Sequence, residues 1–223
     1  MKNTVKLALI PIALACASLA HAQSAGSWMV RAGATTIKPN VDSGDLSAPS
    51  LPGTKADIKS ASQVSGGITY MYTDNLAFDL PLALPFKHDI VGAGAIEGAG
   101  KIADVKALPV TVLAQWRFMP AASAFRPFVG VGLTYAYFFG ARGTSTLTAL
   151  TGGNPDKPTT LSIGSKFAPT LQLGANMAVN KDWFVNASYT YTPLTVTTTL
   201  STGQTQESKI NPASLSLSVG YKF

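Results

Sequence analysis

The stretch 214–223 restricts the fold most. Leu215, Leu217, Val219, Tyr221 and Phe223 alternate with Ser214, Ser216, Ser218, Gly220 and Lys222. Period-two alternation sends successive side chains to opposite faces of an extended strand, so one face is apolar and the other small or polar. A strand of roughly 9–11 residues with such a face fits a lipid bilayer when it belongs to a closed barrel, because closure leaves no backbone edge unpaired in hydrocarbon. The rest of the chain must then supply partner strands.

It does. Alternating segments occur at 27–38, 62–73, 76–88, 107–118, 125–139, 166–179, 183–199 and 209–223. Trp28, Val30, Ala32 and Ala34 oppose Arg31, Gly33 and Thr35 in the first. In the third, Leu76, Phe78, Leu80, Leu82, Leu84 and Phe86 oppose Ala77, Asp79, Pro81, Ala83, Pro85 and Lys87. Short connections follow the second, fourth and sixth segments, and long loops follow the first, third, fifth and seventh. A short helical turn is expected at 147–151 inside the loop 140–165. An even number of antiparallel strands, with short turns on one side and long loops on the other, is the pattern of bacterial outer-membrane barrels. The expected fold is therefore all-β: an eight-stranded antiparallel transmembrane barrel with periplasmic turns and extracellular loops. Aromatic residues fall in two groups, as the two membrane interfaces require. Trp28, Tyr72, Phe78, Trp116, Phe118, Phe125, Trp183, Tyr221 and Phe223 lie near the short turns, and Phe86, Tyr135, Tyr137 and Phe139 towards the loops.

The first residues agree with export. Lys2 and Lys6 precede an apolar run from Leu7 to Leu19, followed by Ala20-His21-Ala22. A charged start, an apolar run too short to span and an A-x-A site read as a secretory signal peptide at 1–22, cut before Gln23, with the barrel at 23–223. The lone cysteine, Cys16, falls in the signal, so disulfides, thiol nucleophiles and cysteine metal sites are not expected. Loss of Lys2 and Lys6 lowers the formal charge from +6 to +4. That excess does not point to nucleic acid, and it suits loops beside lipopolysaccharide phosphates. Charged residues are 13% of the chain, against roughly 25% in soluble domains, which a lipid-facing surface explains.

The inward faces carry two kinds of chemistry. Near the periplasmic end stand Arg31, Asp79, Arg117, Arg126, Lys222 and Asn176, and buried charges need partners, so a network around Asp79 is expected. It either simply fills a small barrel or acts as a polar plug, and the two are compatible. Towards the loops the inward residues are apolar: Ile37, Pro85, Pro109, Leu113, Phe138, Leu194, Val196 and Ile210. Proline removes a ladder hydrogen bond, so Pro81, Pro85 and Pro109 mark either a weakened wall or strand ends beyond the bilayer. Catalysis is not expected. No G-x-S-x-G occurs, 92–101 departs from a phosphate loop at Ala95 and Ile102, and no metal-ligand or cofactor cluster is visible. His88, the one histidine after the signal, is expected at the outer rim in solvent.

Several motifs resemble the outer membrane protein W family of Gram-negative bacteria. They are Met29-Val30-Arg31-Ala32-Gly33, Tyr70-Met71-Tyr72-Thr73-Asp74-Asn75, Pro85-Phe86-Lys87-His88, Leu108-Pro109, Ala114-Gln115-Trp116, Phe125-Arg126-Pro127-Phe128-Val129-Gly130, Asp182-Trp183, Val185-Asn186 and Gly220-Tyr221-Lys222-Phe223. The resemblance implies a narrow hydrophobic lumen and uptake of small apolar molecules, with an alkane-import branch in the family. The family carries a Trp near the outer opening, and spacing from Gln172 puts Phe167 there, in the hydrophobic lumen. The ending Tyr221 and Phe223 resembles the signal read by the outer-membrane assembly machinery. The reading is thus a monomeric barrel that passes or binds small hydrophobic solutes and releases them sideways into the membrane. The alternative is a structural or adhesive barrel with a filled lumen that contacts lipopolysaccharide and outer-membrane lipids.

Overall fold

A computed structural model describes residues 23–223, so the predicted signal peptide at 1–22 lies outside the described residues. The order of elements is β1 (Trp28–Lys38), β2 (Asp42–Ser43), β3 (Thr54–Ile58), β4 (Ala61–Met71), β5 (Leu76–Ala83), β6 (Phe86–Gly94) and β7 (Lys101–Arg117). Then come β8 (Phe125–Gly143), the single-turn helix α1 (Ser145–Leu150), β9 (Leu161–Ile163), β10 (Lys166–Ala178), β11 (Trp183–Tyr191), β12 (Thr195–Leu200), β13 (Thr205–Lys209) and β14 (Ala213–Lys222).

Eight staves close a barrel. β4, β5, β7, β8, β10, β11 and β14 follow β1 around the wall, and every pairing is antiparallel. β6 continues the stave of β5 above the membrane. The seam joins β1 to β14, with Val30 opposite Tyr221 and Lys38 opposite Ala213. Backbone bonds between Trp28 and Phe223, at 3.0 and 2.9 Å, carry it to the periplasmic rim. Closure removes the free edges that would otherwise pair with other chains.

Outward residues are apolar and exposed, as lipid contact requires: Leu80, Leu82, Val110, Val112, Val131, Leu133, Leu171, Leu173, Leu215 and Leu217 are among them. Two aromatic belts border this band. Trp28 packs on Tyr70 and Trp183 on Tyr221, with ring centroids 4.8 and 5.2 Å apart, at the periplasmic end. At the other end Tyr135 packs on Phe167 at 4.7 Å and Tyr137 on Phe139 at 5.2 Å.

Above the band the loops are more regular than their composition suggests. β6 and β7 extend through the region read as the loop 89–106, β3 pairs with β6, and β8 runs on to Gly143. The segment 183–199 divides into β11 and β12, and 209–223 into the end of β13 and β14. β2, β13, β12 and β9 form a separate four-stranded sheet over the barrel mouth. Ile90, Ile102, Val105, Leu147, Leu161 and Leu200 pack beneath it as an apolar cluster.

Candidate functional site

The lower lumen is filled by hydrogen-bonded polar side chains. Arg31 meets Asp79 with two bonds, Nη1–Oδ1 at 2.6 Å and Nη2–Oδ2 at 2.9 Å, and the Thr69 hydroxyl donates to Oδ1 at 2.5 Å. The guanidinium lies over Gly67, where a Cβ would come within 2.5 Å of Nη2 and would push the guanidinium aside. Arg117 donates to Gln23 Oε1 at 2.7 Å and to Gln115 Oε1 at 2.9 Å. Gln115 in turn donates to Gln172 Oε1 at 2.7 Å, and the Arg117 guanidinium sits 5.3 Å from the centre of the Phe128 ring. Arg126 donates to backbone carbonyls of Gln23, at 2.7 Å, and Asp74. Asn186 bonds Asn176 at 2.7 Å, and Asn176 reaches Gln23 Oε1 at 3.3 Å.

The expected network around Asp79 is therefore two adjoining ones. Asp79 pairs with Arg31, while Arg117 and Arg126 are held by neutral acceptors. Gln23 is the centre of the second and was not anticipated. It precedes β1, so alternation is silent about it. The available signal was the surplus of inward arginines over inward carboxylates, which demands neutral acceptors. Lys222 lies at the periplasmic mouth, beside a small crevice that Gln23 also lines, and not in the Arg31–Asp79 pair.

Above this filling lies a belt of hydroxyls. Thr111, Thr134, Thr170 and Thr192 bond in series at 2.7, 2.5 and 3.1 Å, and Thr35 bonds Ser65 and Ser216 at 2.7 Å each. A cavity of about 200 Å³ runs from Arg31, Gln172 and Ser218 at the filling, past the belt, towards the loops. Ile37, Pro109, Leu113, Phe138, Leu194, Val196 and Ile210 line it, and it reaches Leu46, Ile96, Leu147 and Leu200 at the top.

The wall beside this cavity is interrupted. β5 pairs with β7 only from Leu76 opposite Trp116 to Asp79 opposite Leu113, and pairing resumes at Phe86 opposite Ala107. Residues 80–85 thus face 108–112 without a ladder. Alternate residues of an antiparallel strand turn their N–H groups to opposite neighbours. The Leu84 N–H bonds Val64 of β4, so Pro81, Ala83 and Pro85 turn towards β7, and by the same parity Pro109 turns towards β5. Three of these facing positions lack an N–H, and the ladder cannot form. Leu82 belongs to the lipid face and is 47% exposed, yet it also borders the cavity. The cavity therefore borders the unpaired part of the wall.

The interruption overturns three expectations. Pairing sums shift by one residue between Asp79–Leu113 and Phe86–Ala107, so inside and outside exchange at Pro85. Phe86 is buried in the cavity wall, not on the lipid face, and Lys87 points outward instead of inward. His88 is 4% exposed and lines the cavity, whereas a solvated rim position was expected. Pro85 itself sits at the crossover, outside the cavity lining, and its carbonyl accepts from Gln63 at 3.2 Å.

Phe167 is a further correction. It is 67% exposed and stacks on outward Tyr135, so it belongs to the outer aromatic belt and not to the lumen. Its neighbour Ala168 is the inward residue, packed with Leu194, Val196 and Ile210. Phe86 and Phe167 have, in effect, exchanged places.

Lys87 lies opposite Lys106, and both point outward immediately above Leu84 and Leu108. This pair marks the top of the apolar band, and His88 lies above it. Burial pushes the His88 ring below the ordinary histidine range, against the opposing effects of its bond to the Lys59 carbonyl and of nearby Asp89.

These features agree with the comparisons. Outer membrane protein W of Vibrio cholerae serotype O1 is 34% identical over 231 residues, covering 100% of both chains. Outer membrane protein W of Escherichia coli (strain K12) is 33% identical over 225 residues, covering 100% of this chain and 99% of that one. The crystal structure of the outer membrane protein OprG from Pseudomonas aeruginosa is similar with a TM-score of 0.81 at 27% identity, covering 92% of this chain and 99% of that one. The sequence matches the OmpW family across residues 24–223, and with the closed eight-stave wall this places the chain in the outer membrane as a member of that family.

Proposed function

We propose that this barrel takes up small apolar molecules from outside the cell and releases them sideways into the outer membrane. The carrying observation is that the apolar cavity ends below on a hydrogen-bonded polar plug and borders lipid-facing Leu82 at the interrupted β5–β7 wall. An apolar solute gains nothing by entering the plug, where it would break bonds to Arg31, Arg117 and Arg126 and leave buried donors unpaired. Through the wall it passes from one apolar environment to another. A cavity of this size above the plug favours uptake over a purely structural, filled barrel. The outward Lys87–Lys106 pair suits the phosphates of lipopolysaccharide, the barrel's proposed lipid partner. The seam leaves no edge for a second copy, in keeping with a monomer. Tyr221 and Phe223 are proposed to serve the assembly machinery.

Two variants test the route. Replacing Pro81 and Pro85 with valine returns two N–H donors to the β5 edge, and uptake of octane into proteoliposomes is expected to fall. The sequence has one cysteine, in the predicted signal, so Leu82→Cys with Val110→Cys gives a clean pair across the interruption. A bifunctional thiol cross-linker is expected to reduce octane uptake to the rate of protein-free vesicles. Undiminished uptake through the cross-linked wall would sink the sideways route.

A further inference from the structure

In the wall of the chamber stands one buried ring that the plug and belt networks do not include. His88 stands in the β6 wall, opposite Val105 and 6.5 Å from the Phe86 ring, with Ile90 on its other side. Its Nδ1 lies 2.8 Å from the Lys59 carbonyl oxygen. A carbonyl only accepts, so Nδ1 carries the proton and the lone pair of the neutral ring is on Nε2. Among the described residues the ring's hydrogen bond runs through Nδ1, and none is formed at Nε2. Burial favours the neutral ring and so keeps this lone pair free. The hydroxyls of the belt, by contrast, bond one another, and on the opposite wall the Gln206 amide donates to the Gly44 carbonyl at 3.0 Å.

We infer that His88 Nε2 is a hydrogen-bond acceptor for solutes carrying one donor on an apolar body, so that the chamber prefers an aliphatic alcohol or a phenol to a hydrocarbon of the same size. An apolar pocket with a few placed polar groups is the usual way to orient such a molecule. His88 lies three residues above Pro85, or about 10 Å at roughly 3.3 Å per residue. An alcohol held there by its hydroxyl directs its apolar tail to the wall interruption. The inference deepens the uptake reading and rests on it for the route, but binding can be measured without flux.

Histidine occurs only at His21 and His88, and the predicted cleavage after Ala22 removes the first, so histidine labelling of the exported protein reports one ring. With ¹⁵N-histidine in the full barrel in lipid nanodiscs, octan-1-ol is expected to move the Nε2 resonance and octane to leave it in place. No movement with the alcohol, or equal movement with both, overturns the inference. His88→Phe keeps a flat ring without the acceptor. It is expected to weaken octan-1-ol binding about fivefold, the usual worth of one hydrogen bond, and to leave octane binding unchanged. An equal loss for both solutes assigns His88 to packing alone and overturns the inference. If the alcohol binds at Nε2 but neither solute enters vesicles faster than in protein-free controls, the uptake reading fails and the His88 assignment stands.

Discussion

The lower and upper halves of the lumen are built from the same eight staves but solve opposite problems. Below, Arg31, Asp79, Arg117, Arg126 and Gln23 are buried and bonded, and each position is fixed by its partner. Above, Ile37, Val196 and Ile210 surround space and demand little of one another. A buried charge tolerates no missing partner, whereas an apolar wall beside a cavity loses only contact area when trimmed. Rigidity is concentrated where passage is blocked, and slack where a solute would sit.

The sharpest break in this contrast is Asp79→Ala. It strips Arg31 of its counter-charge inside the barrel and is expected to cost about 3–5 kcal/mol. Urea or thermal unfolding followed by circular dichroism measures it. Arg31→Met with Asp79→Leu should recover most of that loss, because it removes both charges together. Stability equal to wild type in Asp79→Ala would mean that the lower half is not held by this pair.

Gln23→Ala comes next. It removes the acceptor shared by Arg117 and Asn176 but leaves the backbone carbonyl that Arg126 uses. The expected loss is about 1–3 kcal/mol, with a rise in ion conductance across planar bilayers as the plug loosens. Conductance at the wild-type level despite the stability loss would separate the fold of the plug from its blocking role.

The smallest effect concerns pH and the upper half. Burial disfavours the charged ring, so the folded pKa of His88 lies below the ordinary histidine value of about 6.5. Between those two values the unfolded chain binds the proton that the folded one refuses, so stability falls as pH drops below about 6.5 and levels off beneath the folded pKa. The check is the difference in unfolding midpoint between neutral and mildly acid buffer, compared with His88→Phe. An identical difference in both proteins would show that carboxylates such as Asp89, and not this ring, set the acid response.

The staves were legible because lipid enforces one rule along each strand: every second residue must be apolar. Trp28, Leu80, Val131, Leu173 and Leu217 stand where that rule puts them. It failed at Phe86, Lys87 and His88 because one residue at the proline interruption reverses the parity, and nothing in the alternating pattern counts bulges. Phe167 misled for another reason. Counting back from inward Gln172 makes it outward, and only the family likeness had put it in the lumen. The sheet of β2, β13, β12 and β9 was hidden because its strands are short and, apart from the β12–β13 hairpin, come from separate loops. Of the lower lumen the charges were readable, but Gln23 was not, since it reaches the site by folding back from outside any strand.

The seam between β1 and β14 also bears on how the molecule forms. Its two partners lie at opposite ends of the described chain, and the loop between them is nearly the whole protein. Contacts of such high sequence separation are slow to form and reward the chain only after the entropy of closing the loop has been met. No shorter piece of the barrel can shield its edges, so an incomplete chain presents open strands at both sides. Closure is therefore a single late event, and until it happens the chain must be kept apart from others like it.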